Sequence, residues 1–143
     1  MRVFGLSLLV GLSIFLAACV DGRAPAPAAQ GCMVTHVTDG DTLRLSCAGQ
    51  PHRVRLLGID TPEIFHPRCA AELAMGESAR TRMAALVASG PVTSVRFHGR
   101  DRYGRDLARV SIGGQDVSAL MLGSGLASPY DGHRHPDWCG AAR

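Results

Sequence analysis

Residues 38–42, with the sequence TDGDT, place two carboxylates on either side of a glycine. Asp39 and Asp41 repel each other in such a turn unless a cation or hydrogen-bond donors relieve the charge. An oxygen-rich cluster of this kind suits a hard ion such as Ca²⁺. Asp-Gly turns are also routine in hairpins, so this motif taken alone is more often an ordinary turn.

A second group of carboxylates lies in residues 55–63, with the sequence RLLGIDTPE. Asp60 and Glu63 are three residues apart around a turn that a proline fixes, so both side chains are predicted to face one cleft. A carboxylate that holds a metal, beside another that acts as a base, is a sound arrangement for activating water. The simpler alternative is a surface ion pair between Arg55 and Glu63, which would contribute little to stability.

Residues 101–106, with the sequence DRYGRD, place an arginine on each side of an aromatic residue. Arg102 and Arg105 carry planar guanidinium groups that match phosphate oxygens in pairs. Tyr103 offers a ring face on which a base can stack. The motif therefore predicts contact with a nucleic acid, although on its own it is a weak signal.

Hydrophobic periodicity and turn residues predict the elements that carry these motifs. Turns are expected at Asp39-Gly40, as a two-residue hairpin loop, and at residues 49–51. Strands are predicted at residues 33–38, 42–47, 52–59, 92–98 and 107–112, and helices at residues 70–89 and 117–126. This order fits a mainly β protein with helices (α+β), built as a five-stranded Greek-key barrel of the OB-fold type.

In this order and at these intervals, TDGDT, RLLGIDTPE and DRYGR resemble the staphylococcal nuclease (thermonuclease) family. The resemblance covers about residues 33–127, and the first two motifs together are highly specific. It implies an OB-fold enzyme that cuts phosphodiester bonds in DNA and RNA with Ca²⁺ as its cofactor. The products implied are a 3′-phosphate and a 5′-hydroxyl.

The resemblance also implies which residues bind the metal and which act on water. The metal carboxylates correspond to Asp41 and Asp60, Thr61 offers its backbone carbonyl, and Asp39 lies beside them as a further acid. Glu63 corresponds to the catalytic glutamate that helps water attack phosphorus. A metal and cationic side chains would together stabilise the charge that builds on the phosphate oxygens.

Four further positions are implied to contact the substrate. Arg55 and Arg105 correspond to the catalytic arginines that bind the phosphate, and Arg102 and Tyr103 correspond to residues lining the nucleotide site. One alternative is a catalytically inactive module that binds nucleic acid, but such copies usually lose site residues and here every position is filled. A structural lipoprotein of the cell envelope would not require this constellation.

The chain departs from the family pattern at its C-terminal end. The family has a long third helix after residues 125–127 (GLA), whereas here only sixteen residues follow them. Pro129 and Pro136 interrupt this tail, so we expect two helices, with the third helix of the family absent. Tyr130 corresponds to a tyrosine expected near this point, and the loop at residues 98–100 is shorter and less basic than the family's.

The N-terminal residues predict export. Residues 1–18 have the positive start and short apolar run of a signal peptide, and LAAC at residues 16–19 resembles the lipobox of bacterial lipoproteins. Ordinary signal cleavage, with Cys19 incidental, is the alternative. Residues 19–30 are then a lipidated cysteine and a Pro/Ala tether, and residues 31–143 are the nuclease domain. We expect a monomer that is anchored to the cell envelope by its lipid, or secreted.

Four cysteines remain after Cys19, and an even number in an exported chain suggests two disulfides. Three pairings are possible. The predicted first hairpin places Cys32 opposite Cys47, within bridging distance, which leaves Cys69 to pair with Cys139. A register slip of one residue would weaken this assignment.

Zinc binding is the alternative use of the last two cysteines. The residues concerned are His66, Cys69, His133, His135 and Cys139. Their spacing matches no familiar zinc module, and export favours a disulfide.

The overall composition sets limits on the class of protein. The chain has 143 residues, which is enough for one compact domain. Because 46% of the residues are hydrophobic and only 19% are charged, the composition argues against disorder. All fifteen basic residues are arginine, yet the net charge is only +3. Composition therefore predicts no broad polybasic surface, and any nucleic-acid contact must depend on local arginines.

Overall fold

The computed structural model describes residues 31–140, and every structural statement below concerns that range. The predicted signal peptide, Cys19 and the Pro/Ala tether all lie outside the described residues, as do residues 141–143. Within residues 31–140, no helix is both long enough and apolar enough to cross a bilayer.

Ten elements succeed one another along residues 31–140. In chain order they are β1 (Cys32–Val37), β2 (Thr42–Cys47), β3 (Gln50–Leu56), β4 (Ile59–Asp60), α1 (Ala70–Ala88), β5 (Val92–Arg100), β6 (Asp106–Ile112), β7 (Gln115–Asp116), α2 (Val117–Gly123) and β8 (Ser128–Pro129). The five long strands form one sheet in the order β1-β2-β3-β6-β5. Only the pair β3–β6 is parallel within this order. β1 also contacts β5, so the sheet curls towards a barrel.

This arrangement confirms the predicted α+β class with a five-stranded OB-like sheet and two helices. Alternate residues of the strands point into the core, where they meet the inner faces of both helices. The central core residues are Leu43, Leu45, Val54, Leu56, Val95, Ala108, Val110, Met83 and Met121. Each is almost fully buried, and burying a Val, Leu or Met side chain contributes roughly 1.5–3 kcal/mol. The outward residues of the same strands are therefore free to form a site.

The first hairpin differs from the predicted two-residue loop at Asp39-Gly40. Val37, the last residue of β1, pairs with Leu43, and four residues, 38–41, connect β1 to β2 rather than two. The predicted loop is wrong because the side chain of Asp39 organises a wider turn: its Oδ1 accepts the backbone N–H of Asp41 at 3.0 Å. Side-chain bonds of this kind offer the backbone an alternative to continued strand pairing.

A β-bulge in β1 corrects the register of this hairpin. The pairing shifts by one residue between Val34 and His36, so that Cys32 still faces Cys47. The two form a disulfide with their Cα atoms 4.0 Å apart. The second disulfide joins Cys69 to Cys139. Both disulfide pairings expected from the sequence are therefore present. Cys32 still faces Cys47 because the wider loop and the bulge shift the register by one residue in opposite directions.

Two further turns differ from expectation. The β2–β3 connection is the two-residue loop Ala48-Gly49, in which both residues have positive φ (49° and 80°), as a tight hairpin turn requires. Gln50 and Pro51 belong to β3 and not to the turn. The strand predicted at residues 52–59 is interrupted after Leu56, because Gly58 adopts a φ of 82° before the chain resumes as β4.

Both helices begin where the sequence predicts. The sulfur of Cys69 caps α1 by accepting the N–H of Glu72 at 3.4 Å, and Asp116 caps α2 by accepting the N–H of Ala119. α1 ends one residue before its predicted end, whereas α2 ends three residues early. Ser124 ends α2 because its hydroxyl donates to the Met121 carbonyl at 2.7 Å and glycine follows at residue 125.

Candidate active site

Arg55 is the centre of the candidate site. It faces outward from β3, yet its side chain is only 9% exposed. Its Nη2 lies 3.2 Å from Asp41 Oδ2 and 3.0 Å from Asp60 Oδ1. Its Nη1 donates to the carbonyls of Leu56 and Ile59, at 2.7 and 2.8 Å. The turn between β3 and β4 brings the Ile59 carbonyl to the guanidinium of Arg55. This turn therefore fixes the position of the guanidinium.

Asp41 joins the first two motifs. Its Oδ2 accepts both the backbone N–H and the hydroxyl of Thr61, each at 3.0 Å. Its Oδ1 accepts the hydroxyl of Thr42 at 3.1 Å. Gly40 makes this junction possible, because a Cβ there would lie 2.7 Å from the Cβ of Ala79 on α1. The loop and the segment after β4 therefore meet at this carboxylate, and the helix packs against the loop at Gly40.

Arg105 brings the third motif to the same place. Its Nη1 donates to the Thr42 hydroxyl at 3.3 Å, and its Nε donates to Asp101 Oδ2 at 2.7 Å. Asp101 also accepts the backbone N–H groups of Tyr103 and Arg105. Burial raises the pKa of Asp101, but these hydrogen bonds and the charge of Arg105 outweigh it and lower the pKa below 3.8. A charged Asp101 thus orients Arg105 towards Asp41.

Asp39 shows how strongly negative charge is concentrated here. Burial and the neighbouring charge of Asp41 raise the pKa of Asp39 from 3.8 to about 7. The backbone N–H groups of Asp41 and Thr42 lower it only in part. This cluster therefore holds more carboxylates than the nearby donors can satisfy.

Glu63 lies at the edge of this carboxylate cluster and is exposed to solvent. Partial desolvation of its carboxylate and the charges of Asp41, Asp60 and Glu72 raise its pKa above 4.5, while His135 lowers it. A carboxylate with a raised pKa accepts a proton more readily near neutral pH. Glu63 is therefore suited to act as a general base.

Glu72 on α1 holds the backbone that carries Glu63. It is 2% exposed and accepts the backbone N–H of Arg68 at 2.6 Å as well as that of Glu63. Burial raises the pKa of Glu72, but these bonds and the charge of Arg68 prevail and lower it. Gly76, one turn further along α1, lets the helix approach, since a Cβ there would lie 2.8 Å from the Pro62 carbonyl.

Arg102 and Tyr103 lie at the exposed side of the site. Tyr103 is 61% exposed. The Arg102 guanidinium lies 4.8 Å from its ring centroid and donates to its hydroxyl at 2.8 Å, and Arg105 lies 5.7 Å from the same ring. The aromatic face is thus held beside Arg102 and Arg105 and remains accessible to solvent.

The tail after α2 contributes His135 and Tyr130 to the site, although the sequence links His135 only to the zinc alternative and Tyr130 only to a tyrosine of the family pattern. His135 Nδ1 lies 3.1 Å from Asp60 Oδ1. Its ring stacks on Tyr130, with centroids 4.9 Å apart and planes 25° apart, and Arg55 lies 5.7 Å from the Tyr130 centroid. Sequence spacing could not reveal the first contact, because it joins residues 75 positions apart. Thr42 is a further residue of the site, and it can be located from the sequence because it belongs to the TDGDT motif.

The donor set fits a hard divalent cation. The carboxylates of Asp41 and Asp60 converge on one nitrogen of Arg55, and Thr61 follows directly with its backbone carbonyl. All of these potential ligand atoms are oxygens, which Ca²⁺ prefers. Within the described part of the chain, no group donates a hydrogen bond to the second oxygen of Asp60. The zinc alternative does not fit, because Cys69 and Cys139 are joined to each other as a disulfide.

Comparisons with known proteins find one matching family and several similar proteins. A family described as Staphylococcal nuclease homologue matches residues 53–138. The SPbeta prophage-derived endonuclease YokF of Bacillus subtilis (strain 168) is 41% identical over 91 residues, covering 62% of this chain and 30% of that protein. Endonuclease YncB of the same strain is 40% identical over 91 residues, covering 62% of this chain and 43% of that protein.

A thermonuclease of Staphylococcus intermedius is also similar. It is 32% identical over 95 residues, covering 66% of this chain and 56% of that protein. The matched segments thus span 30% to 56% of the length of these three relatives.

Proposed function

Because the chain belongs to the staphylococcal nuclease homologue family, we propose that it is a Ca²⁺-dependent nuclease that hydrolyses phosphodiester bonds of DNA, RNA or both. One observation carries the proposal. Three motifs far apart in sequence meet around Arg55, where Asp41, Asp60 and Arg105 lie in a single hydrogen-bonded cluster.

The arginines would bind the scissile phosphate. Arg55 and Arg105 are oriented by Asp60 and Asp101, so both guanidinium charges are already in place when charge develops on the phosphoryl oxygens. Preorganised cations of this kind stabilise a transition state more than the ground state. Ca²⁺ held by Asp41, Asp60 and the Thr61 carbonyl would supply further positive charge at the same phosphate.

Glu63 would act on the attacking water. Its carboxylate would take a proton from water as the oxygen attacks phosphorus. The bond from phosphorus to the 5′-oxygen would then break, and that oxygen would take up a proton from solvent water to become a hydroxyl. The phosphate stays on the 3′-oxygen, so we propose 3′-phosphate products.

Arg44 and Arg53 would extend the substrate surface along the sheet. They are exposed and directly opposed on β2 and β3, next to the pair formed by Thr42 and Arg55. Like charges opposite each other destabilise a sheet, and neither arginine forms an ion pair within residues 31–140. A nucleic-acid backbone crossing this face would relieve that repulsion, and Tyr103 would stack a base nearby.

We also propose where the enzyme acts. The apolar run and the lipobox-like LAAC in residues 1–19 support export with lipid attachment at Cys19, or secretion. Two disulfides within residues 31–140 are in keeping with an oxidising compartment. We propose that the enzyme is a monomer.

Analysis of product ends tests the chemistry. A 5′-labelled DNA oligonucleotide and its RNA counterpart are incubated with the protein and Ca²⁺, and the labelled products are treated with a 3′-phosphatase. A mobility shift after phosphatase treatment is expected, and cleavage without such a shift would overturn the assigned bond. Retention of the oligonucleotide without cleavage would instead indicate a catalytically inactive binding module.

A further inference from the structure

The tail after α2 is fastened across the candidate site at several points. β8 pairs with β4, and the N–H of Tyr130 donates to the Gly58 carbonyl at 3.1 Å. Further along, the Arg68 guanidinium donates to the Pro136 carbonyl at 3.1 Å, and Cys139 is joined to Cys69. The intervening residues 131–135 therefore have both ends held, although they are exposed and form no regular element.

His135 occupies the part of this tail that touches the site. Its side chain is 62% exposed, yet its Nδ1 lies 3.1 Å from Asp60 Oδ1. An ionised carboxylate only accepts hydrogen bonds, so Nδ1 carries the proton and donates. Nε2 is then free to accept from the Tyr130 hydroxyl, which lies 3.4 Å away.

We propose that His135 is a positioning residue that holds Asp60 in its metal-binding orientation. Together with Arg55, it binds Asp60 Oδ1 and leaves the second carboxylate oxygen for the cation. Groups that hydrogen-bond a ligating carboxylate fix its orientation, and their removal commonly weakens metal binding ~10–100-fold. The tail would thus contribute to metal binding through His135. This inference rests on the proposed Ca²⁺ site.

The stacking on Tyr130 explains why an exposed histidine can do this. Ordering a free surface side chain costs conformational entropy. Here the ring is held between Tyr130 and Asp60, and the Cys69–Cys139 bond limits the movement of the backbone. His135 is therefore preorganised before any cation arrives.

The test measures Ca²⁺ binding by titration calorimetry without substrate, alongside thermal unfolding. We expect His135→Ala to weaken Ca²⁺ binding about tenfold or more while the unfolding temperature changes little. His135→Asn keeps an N–H donor near the Nδ1 position and should recover most of the affinity. His133→Ala, an exposed histidine of the same tail, is the matched control and should bind Ca²⁺ like the unaltered protein.

Equal Ca²⁺ affinity in the unaltered protein and His135→Ala would overturn the inference, as would failure of the Asn variant to recover affinity. Absence of Ca²⁺ binding by the unaltered protein would overturn it too. Cleavage by the same preparations separates the two proposals. A protein that binds Ca²⁺ through His135 but cuts neither DNA nor RNA would refute the nuclease proposal and leave this inference standing.

Discussion

Thr42 and Arg105 are 63 positions apart in the sequence, yet Arg105 Nη1 donates to the Thr42 hydroxyl at 3.3 Å. The same hydroxyl donates to Asp41 Oδ1 at 3.1 Å. One oxygen therefore links a proposed metal carboxylate to a proposed phosphate-binding arginine. This link is the shortest route by which the first and third motifs become one site.

Removing that hydroxyl should lower turnover without unfolding the protein. Thr42→Val keeps the shape of the side chain but leaves Asp41 and Arg105 without their common partner. Hydrogen bonds to charged groups contribute about 1.5–3 kcal/mol, so kcat/KM for an oligonucleotide should fall about tenfold or more. Thr42→Ser retains the hydroxyl and should stay close to the unaltered enzyme. Equal activity in all three proteins would show that the link has no role.

The opposed pair Arg44 and Arg53 should contribute to substrate affinity and not to chemistry. Changing both to Gln should raise KM and flatten the dependence of binding on salt, by roughly one unit of slope for each phosphate that is no longer neutralised. kcat should stay the same, because neither residue touches the carboxylate cluster. Arg82→Gln, an exposed change on α1, is the control. A fall in kcat with unchanged KM would contradict this role.

Glu72 should make the protein sensitive to acid. Its pKa is lowered from 4.5 in the folded state, so its stabilising effect is present above pH 4.5 and is lost as the pH falls through the lowered value. Glu72→Gln should therefore be less stable near neutral pH and should lose less stability on acidification. Urea unfolding between pH 7 and pH 3 measures this.

The control for that measurement is Glu77→Gln, which removes an exposed ion pair with Arg80 on the same helix. Exposed pairs of this kind contribute ~0–1 kcal/mol, so its unfolding curves should follow those of the unaltered protein. A Glu72→Gln protein with the same stability at every pH would show that the buried carboxylate does not stabilise the fold.

The Cys69–Cys139 disulfide should be the more stabilising of the two. It joins residues 70 positions apart, against 15 for Cys32–Cys47. Loop-closure entropy predicts about 4 kcal/mol for the longer loop and about 3 kcal/mol for the shorter one. Replacing Cys69 and Cys139 together by Ser should lower the unfolding temperature and weaken Ca²⁺ binding as His135→Ala does. Unchanged thermal stability would contradict a structural role for the tail.

Much of this site could be predicted because its residues lie in compact motifs. Asp41 belongs to TDGDT, Arg55 and Asp60 belong to RLLGIDTPE, and the structure brings all three together. The wider loop at Asp39 was not predictable from a turn signal, because a side-chain hydrogen bond decides it. The compensating bulge in β1 has no sequence signal of its own.

The contribution of the tail to the site could not be predicted from the sequence. A Pro-interrupted segment predicts the absence of a helix, but the position of His135 depends on a disulfide, a strand pair and an aromatic stack acting together. Such contacts depend on tertiary structure and leave no period in the sequence. The same holds for Glu72, whose role follows from the close approach of α1 at Gly76.

Digestion of plasmid and single-stranded DNA and RNA, with Ca²⁺ or with EGTA, tests the proposed function most directly when Glu63→Gln is compared with the unaltered protein. Cleavage in Ca²⁺ is expected, with none in EGTA and a loss of at least ~10²-fold in the variant, the scale of a general base. Glu77→Gln should cleave like the unaltered protein. Cleavage that neither EGTA nor Glu63→Gln reduces would contradict a Ca²⁺-dependent site built around Arg55.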